Sequence, residues 1–398
     1  MTTGTAHPHP AATFREILLP RARTANQSLL NDPRLELTYN GRGALLRACA
    51  EIAGRGKLDI LLPAYHCPSG ITPAIHAGLR PVFYRVRRDL SIDLDDLYAK
   101  VTANTGAVLV IHYFGVATNL RPLHALRARG VQVIEDWSHS FLQGTPPRLS
   151  GGDGEYRIYS FWKLVPSMVG GGLWRRDADQ QTSQQQMPAP HLRERAVRLK
   201  RMLEEALNHS HHTRTKALFA RFEAMRVARR HLVNDAPPDA DLASAPGESH
   251  YPFDLTLANS RMPGLSRRIL ESTDFENLTQ TRRNNFNQYG RLLSNSTRLQ
   301  VLYPVLPLEV CPWVFPVLLQ NRNETDHRWR AAGVALYTFG IYLHSALFEN
   351  TDAPTIADAK YLSEHLLCLA IHQDIGSDQI ERSADTINNY LADPDLRA

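Results

Sequence analysis

The sequence has no apolar run long enough to span a membrane, because no stretch approaches about 18 uninterrupted apolar residues. The opening MTTGTAHPHPAATF has no basic segment followed by an apolar run, so we expect no secretory signal. Cysteine is scarce. The four cysteines lie far apart without a CxxC pair, which argues against a disulfide framework or a zinc site. We therefore expect a cytoplasmic protein with no membrane partner and no metal.

A strong charge of one sign is also missing, since 45 basic residues face 40 acidic ones and the net charge is +5. Basic residues are concentrated in 193–230, which is typical of a solvated helix face; an anionic substrate or a nucleic acid is the alternative. We expect the protein to bind a small-molecule substrate and no nucleic acid. With 43% hydrophobic and 21% charged residues, the composition excludes disordered and collagen-like proteins.

The pattern of residues 13–176 predicts a large α/β domain, because short apolar β-branched segments alternate with helical ones. This alternation implies a mostly parallel sheet with helices on both faces. The predicted strands are Ile60–Leu62, Pro81–Val86, Ala107–Tyr113, Val131–Glu135, Tyr156–Ser160 and Gly172–Trp174.

The other residues divide into three further predicted segments. Residues 1–12 are predicted as a mobile tail, and 177–252 as a linker and helical excursion that contains a helix over His191–Leu232. Residues 253–398 predict a small C-terminal α+β domain. Its predicted elements are a helix over Ser266–Ser294, a strand over Val314–Leu319, a helix over Glu324–Ala332, a short strand and a final helix over Gln379–Leu391.

Two strand ends carry candidate catalytic residues. The apolar strand before Asp136 ends in two acids, with His139 three residues further on; a helix-capping aspartate is the alternative. Lys163 follows another strand, has apolar neighbours and precedes three glycines. Burial would lower its pKa and make it a nucleophile, whereas a lysine whose ammonium reaches solvent beside a glycine turn is the alternative.

A third pattern, Gly41-Arg42-Gly43, leads directly into a helical segment. The free N–H groups at a helix start bind anions, and Arg42 adds charge, although such a turn alone is weak evidence. Together the three patterns supply what pyridoxal phosphate (PLP) requires. A lysine can hold its aldehyde as a Schiff base, a carboxylate can keep its pyridine nitrogen protonated, and a helix start can bind its phosphate.

The sequence from about Leu37 onward resembles the DegT/DnrJ/EryC1/StrS aminotransferases of PLP fold type I. The resemblance rests on Gly41–Leu45, LLPAYHCPSGITPAIHAGLRPVFYRV, VLVIHYFGV, VIEDWSHSF and LSEHLLCLAIHQDI. It implies that Lys163 is the Schiff-base lysine, that Asp136 pairs with the pyridinium nitrogen and that His139 contacts the cofactor. It also implies that Ser160 helps to hold the phosphate and that the protein is a homodimer with shared active sites.

Several positions depart from the family pattern. Cys67 stands where an aromatic residue usually stacks on the cofactor ring, and His66 or Tyr65 could supply that face instead. Ser160 lies three residues before Lys163 where most members have five, and YSFWKLVPSMVGG is similar to a related branch. Ala370 replaces a proline of the terminal motif, which leaves His372 as a substrate-side candidate.

Two further groups of residues allow more than one interpretation. Arg282 and Arg283 could bind an anionic substrate, or could form surface salt bridges. The histidines of NHSHHTR (208–214) suggest a metal, but without acidic or thiol partners at ligand spacing a solvated helix face is favoured.

The resemblance implies transfer of an amino group, with glutamate as the donor, to a keto acceptor such as a nucleotide-linked keto-sugar or a natural-product intermediate. The alternatives are another lysine-dependent PLP reaction, or a non-catalytic protein that binds or regulates. Retention of Lys163, Asp136 and the glycines speaks against the last alternative.

Overall fold

The structure, a computed structural model, describes residues 9–177, 187–209, 253–293, 296, 298–349 and 351–392. Its strands are β1 (Leu35–Thr38), β2 (Asp59–Pro63), β3 (Arg80–Tyr84), β4 (Thr105–Ile111), β5 (Gln132–Trp137), β6 (Leu142–Gln143), β7 (Arg148–Leu149), β8 (Tyr156–Ser160), β9 (Gly171–Arg175), β10 (Leu299–Val301), β11 (Val314–Leu319), β12 (Leu336–Tyr337) and β13 (Leu366–Ala370).

The helices surround two main sheets. They are α1 (Phe14–Leu18), α2 (Thr24–Leu30), α3 (Gly41–Ala53), α4 (Pro68–His76), α5 (Leu94–Ala99), α6 (His124–Ala128), α7 (Leu192–His209), α8 (Leu255–Ala258), α9 (Gly264–Ser272), α10 (Phe275–Leu292), α11 (Arg322–Ala331), α12 (Ala353–His365) and α13 (Ser377–Ala392). None of the helices in the described part of the chain is both long and apolar enough to cross a bilayer.

The first sheet has seven strands in the order β1-β9-β8-β5-β4-β2-β3. Strands β3, β2, β4, β5 and β8 pair in parallel, while β9 is antiparallel to both β8 and β1. The six strands predicted from residues 60–174 are all confirmed, with shifts of a few residues at their ends. The short edge strand β1 was not predicted, since its four residues carry too weak a pattern.

The central strands β2 and β4 are buried along their whole length, as a sheet covered on both faces requires. The carboxyl ends of β2, β4, β5 and β8 consequently meet at one edge of the sheet, which is where ligands bind in such folds.

The second sheet has four strands in the order β10-β11-β13-β12, all paired antiparallel. It has its own apolar core, which includes Phe315, Leu367 and Ile380. The strand predicted at Val314–Leu319 is confirmed as β11, and the final helix as α13.

One helix prediction for this part of the chain is wrong. The segment predicted as a helix over Ser266–Ser294 contains two helices, α9 and α10, because Thr273 is extended and the Asp274 side chain caps α10 by accepting from Asn277 N. The first of these helices, α9, packs on the large sheet's side of the molecule, where Asn26 donates to the carbonyl oxygens of Leu270, Glu271 and Thr273.

The helix predicted for the excursion is confirmed over α7, which ends at His209; the rest of that prediction, with His211 and His212, lies outside the described residues. At the other end of the chain, the predicted tail is described from His9 onward. There Ala11 N donates to Asp374 Oδ2 at 2.9 Å, and the His9 ring lies 4.9 Å from that of Tyr337.

Candidate active site

A cavity of about 440 Å³ opens at the carboxyl ends of the parallel strands. Most of the residues predicted from sequence line it, namely Gly41, Arg42, His66, Cys67, Asp136, His139, Ser160 and Lys163. These residues come from four separate segments of the chain, so the fold brings together residues that are more than 120 positions apart in the sequence.

Lys163 lies directly after β8, at the end of a single 3₁₀ turn over Phe161–Lys163. Burial lowers the pKa of its amine to about 8, although Asp136 and Cys67 oppose the shift. Its Nζ lies 4.5 Å from the centre of the Trp313 ring, which comes from the segment before β11. Lys163 is therefore a buried amine, of which an appreciable fraction is uncharged near neutral pH.

The two acids at the end of β5 point to different environments, because successive side chains of a strand face opposite sides. Glu135 is fully buried and accepts from His112 Nε2, from Trp137 Nε1 and from the amides of Gly152 and Gly154. Burial alone would raise the pKa of Glu135, but the hydrogen bond from His112 and the other donors lower it to about 2. Glu135 thus fixes the end of the strand, and Asp136 is the acid left to face the cavity.

Asp136 contacts two neighbours. Its Oδ1 accepts from Ser138 N at 2.7 Å, and its Oδ2 lies 3.8 Å from His66 Nε2. His66 is buried, its Nδ1 donates to Cys67 O at 2.7 Å, and its Nε2 has no hydrogen-bond partner among the described residues. Burial lowers the pKa of His66, although Asp136 opposes this. A buried ring nitrogen without a partner in the wall of a cavity indicates that a ligand can bind there.

His139 is held as a neutral ring. Its Nδ1 accepts from Phe114 N at 3.0 Å, so the neutral imidazole carries its proton on Nε2. Burial, together with the nearby cations Lys163 and His66, lowers the pKa of His139 well below its ordinary value. Its ring packs between those of Phe114 and Trp313, at 5.4 and 4.6 Å. His139 can therefore donate a hydrogen bond but does not carry charge.

The turn before α3 forms another part of the cavity wall. Asn40 caps the helix by accepting from Gly43 N at 2.9 Å, and Gly41 and Arg42 form its first turn. A Cβ on Gly41 would lie 3.4 Å from both Ser138 Oγ and the Ser160 Cβ, so glycine leaves space between the helix start and these hydroxyls. This geometry suits an anion, which would accept hydrogen bonds from free N–H groups and from serine side chains.

The triple glycine after Lys163 has a packing role. A Cβ on Gly171 would lie 2.2 Å from the Asn40 carbonyl carbon, because β9 passes directly against the turn before α3. Gly170 has a φ of 137°, a conformation that other residues rarely adopt. These glycines bring the lysine segment and the anion-binding turn close together.

Of the three residues considered for contact with the cofactor ring, Tyr65, His66 and Cys67, only two line the cavity. Tyr65 is fully buried, its hydroxyl donates to Phe339 O at 2.7 Å, and it is not among the residues that line the cavity. His66 and Cys67 both line the cavity, and the Cys67 Sγ lies 3.1 Å from Ser69 Oγ. A cofactor ring in this cavity would therefore meet His66 or Cys67 and not Tyr65.

Three residues singled out from sequence lie elsewhere. His372 follows β13 with Nδ1 accepting from Asp374 N, and it is not part of the cavity wall in the described structure. Arg282 is buried, and its guanidinium donates to the carbonyls of Trp313 and Leu164 at 3.0 and 3.3 Å. Arg283 donates to the carbonyls of Pro307 and Val310. Within the described residues neither arginine forms a salt bridge, so the surface salt-bridge interpretation is wrong, and neither lines the cavity. Binding of an anionic substrate by either arginine stays a prediction.

Several residues of the site had not been identified from the sequence. Trp313 lies against Lys163 and His139, while Tyr337 and Phe339 line the cavity from the second sheet and its following loop. Arg198 of α7 and Phe253 line it from the other side. Nothing in the local sequence around these residues signals a site, since their positions depend on how distant segments pack.

The fold has close counterparts among solved structures. It superimposes with a TM-score of 0.65 on the aminotransferase TlmJ from Streptoalloteichus hindustanus, at 21% identity over 95% of this chain and 92% of that one. It matches Spr1654 from Streptococcus pneumoniae, solved in a PLP form, with a TM-score of 0.64 at 12% identity over 96% of this chain and 92% of that one. The fold is thus the fold type I architecture of PLP-dependent aminotransferases, as predicted.

The sequence also matches a known family. Residues 38–205 match the DegT/DnrJ/EryC1/StrS aminotransferase family, which confirms the predicted resemblance over that part of the chain. A curated relative, dTDP-4-dehydro-2,3,6-trideoxy-D-glucose 4-aminotransferase from Saccharopolyspora spinosa, is 27% identical over 169 residues, 40% of this chain and 44% of the relative. The chain spans less than half the length of the curated relatives it matches.

Proposed function

We propose that this chain is a PLP-dependent aminotransferase. The observation that carries the proposal is the convergence, in one cavity, of an amine with a pKa of about 8, a carboxylate close enough to oppose that shift, and an anion-binding helix start. This set fits PLP, whose aldehyde, pyridine nitrogen and phosphate need those three groups.

The residues that would hold PLP follow from the geometry. Lys163 would bond its aldehyde carbon, Asp136 would face its ring nitrogen, and the turn Gly41-Arg42-Gly43 with Ser160 would bind its phosphate. The unpartnered Nε2 of His66 and the space left beside Gly41 are two features that such a ligand would fill. His139, neutral and protonated on Nε2, would donate to an oxygen acceptor of the cofactor.

PLP, when bound, acts as an electron sink that labilises bonds at the α-carbon of an amino acid. The protein must then move a proton, and Lys163 is the group placed to do so. Because its pKa is about 8, its amine can both accept a proton and return it near neutral pH. The aromatic rings of Trp313 and Phe339 lie beside His139, and Trp313 also lies beside the Lys163 amine, so this part of the site has apolar walls.

We further propose that the acceptor is a keto-sugar carried on a nucleotide and that glutamate is the amino donor. The relative from Saccharopolyspora spinosa bears the name of a dTDP-sugar aminotransferase, which supports the acceptor class. The donor is inferred from the family resemblance alone.

We also propose a cytoplasmic homodimer with shared active sites, and the domain division at residues 12/13, 176/177 and 252/253 predicted from the sequence. All four cysteines are free, which suits a reducing compartment. Exposed apolar side chains on α4, α7 and α8, the elements around the cavity mouth, support a partner surface there. They are Ile75, Leu192, Leu199 and Leu255.

Borohydride reduction tests the proposal. The full chain is incubated with PLP, reduced and digested, and the peptides are mapped by mass spectrometry. We expect a pyridoxyl group on Lys163 and none on the folded Lys163→Ala variant. Labelling of Lys57, an exposed-surface lysine that donates to Arg129 O, serves as the measure of nonspecific reaction. Labelling spread evenly over surface lysines, with Lys163 unlabelled, would contradict the proposal.

A further inference from the structure

Helix α7 supplies none of the residues proposed above to hold PLP, yet it contributes a charged side chain to the cavity. Arg198 lies in the cavity wall, and its side chain is 27% exposed. The helix starts after a segment in which Pro188 O accepts from Arg261 N, and this contact ties it to the chain just beyond α8. The excursion therefore reaches the site itself.

The guanidinium of Arg198 is held in place from one side. Its Nε donates to the Tyr39 hydroxyl at 3.1 Å and to Glu194 Oε1 at 2.6 Å. Tyr39 also donates to Glu194, so the three side chains form a closed set of hydrogen bonds. Within the described ranges, no other residue bonds the Arg198 guanidinium. Its terminal nitrogens are thus available to a group in the cavity. Tyr39 directly precedes Asn40, the N-cap of α3, so its hydrogen bond holds the guanidinium next to the start of that helix.

A second guanidinium belongs to the same part of the wall. Arg42 lies in the first turn of α3 and lines the cavity. Burial lowers the pKa of Arg42, and the nearby positive charge of Arg198 lowers it further, while Cys67, Tyr39 and Asp254 oppose the shift. Two guanidinium groups that repel each other beside the serine hydroxyls of Ser138 and Ser160 favour an anion with several acceptor oxygens.

We propose that Arg198 and Arg42 together bind a phosphoryl group in this cavity, and that α7 is in the site to supply the second guanidinium. The planar fork of arginine matches phosphate oxygens bidentately, and Tyr39 and Glu194 fix its orientation in advance. The proposal rests on the proposed function, in which two phosphoryl groups are candidates: that of PLP and that of a nucleotide-linked acceptor.

The test compares ligands with and without phosphate. Dissociation constants of PLP and pyridoxal are measured on the cofactor-free full chain, and those of dTDP and thymidine on the PLP-loaded full chain. The variants are Arg198→Gln and, as a matched control on the same helix, Arg195→Gln, whose side chain is exposed and outside the cavity wall. Circular dichroism and thermal unfolding confirm that each variant is folded.

We expect Arg198→Gln to weaken one phosphorylated ligand about tenfold or more, because a charge-assisted hydrogen bond contributes about 1.5–3 kcal/mol. The phosphate-free counterpart and the Arg195→Gln control should change little. Loss of PLP affinity identifies the cofactor's phosphoryl group, and loss of dTDP affinity identifies the acceptor's.

Two results would overturn the proposal: unchanged affinity for both PLP and dTDP, or equal weakening of each phosphorylated ligand and its phosphate-free counterpart. Failure of the proposed function would look different, since the wild-type chain would then bind no PLP at Lys163, whatever residue stands at 198.

Discussion

Lys163 differs from an ordinary lysine because its amine lies in a closed, partly aromatic environment. Desolvation disfavours its charged form, and the carboxylate of Asp136 only partly offsets this, so its pKa is about 8 instead of 10.5. The sequence motif of a lysine before three glycines indicated this role, and the packing of Trp313 against Nζ explains part of how it is enclosed.

The lowered pKa predicts the pH dependence of cofactor capture. Only the uncharged amine attacks an aldehyde, so the rate should rise with pH up to about 8 and then level off. Stopped-flow absorbance after mixing the cofactor-free chain with PLP measures this rate. A rate that continues to rise toward pH 10.5, the ordinary value for lysine, would show that the amine is not desolvated.

At the scale of single elements, helix α4 depends on the close approach of His66 to its own first turn. A Cβ on Gly70 would lie 1.6 Å from His66 Cε1, so the ring fills the space that a larger residue would need. The helix therefore has glycine at this position in spite of glycine's low helix propensity.

Gly70→Ala should displace His66 from the cavity wall. We expect unfolding free energy to fall by about 1–3 kcal/mol, as for other overpacked sites, and PLP affinity to fall with it. Chemical denaturation and PLP titration measure the two effects. Gly264→Ala is the control, since a Cβ there meets nothing within 4 Å. Equal losses of unfolding free energy and PLP affinity in the two variants would contradict the contact between Gly70 and the His66 ring.

The buried Arg282 connects helix α10 to the segments on both sides of the site. It donates to the carbonyls of Leu164 and Trp313 and to Gln373 Oε1, and Gln373 in turn donates to Leu164 O. Leu164, which follows Lys163, and Trp313, which packs on Lys163, are thus held by one guanidinium.

Arg282→Met should remove the guanidinium donor from the Trp313 carbonyl and leave Leu164 O with Gln373 alone, at a cost of about 3 kcal/mol or more in unfolding free energy. Arg283→Met, in which the replaced side chain is only partly buried and bonds a loop farther from the lysine, should cost about 1 kcal/mol. Urea unfolding of both variants compares them, and a larger loss for Arg283→Met would contradict the account.

Elements with a periodic pattern of their own could be predicted from the sequence, and those defined by distant contacts could not. The strands that end at Asp136 and Ser160 are apolar enough to identify, and the residues after them mark the site. The edge strand β1 and the break at Asp274 were missed because they depend on pairing with β9 and on a single cap. Trp313 and Arg198 were missed because only folding brings them to Lys163 and Tyr39.

At the scale of the whole molecule, the exposed apolar residues around the cavity mouth predict how two copies meet. Leu255, 48% exposed on α8, lies beside Phe253 and Asp254 of the cavity wall. A charge at this position should therefore disturb both association and cofactor binding if sites are shared.

We predict that Leu255→Glu shifts the protein from dimer to monomer and weakens PLP binding. Analytical ultracentrifugation at several concentrations measures the first effect, and titration the second. Leu308→Glu is the matched control, since Leu308 is 88% exposed but lies in the loop before β11. A monomeric wild-type chain, or a dimer that tolerates Leu255→Glu while Leu308→Glu dissociates it, would contradict the predicted surface.

We propose that Lys163 and Asp136 make this chain an aminotransferase, and one half-reaction of the amino transfer is the most direct test. Absorbance spectra of the PLP-loaded chain are recorded before and after addition of glutamate, with Lys163→Ala alongside. We predict that glutamate replaces the spectrum of lysine-bound PLP with that of pyridoxamine phosphate in the wild-type chain only. A folded, PLP-loaded chain whose spectrum no amino donor changes would contradict the claim.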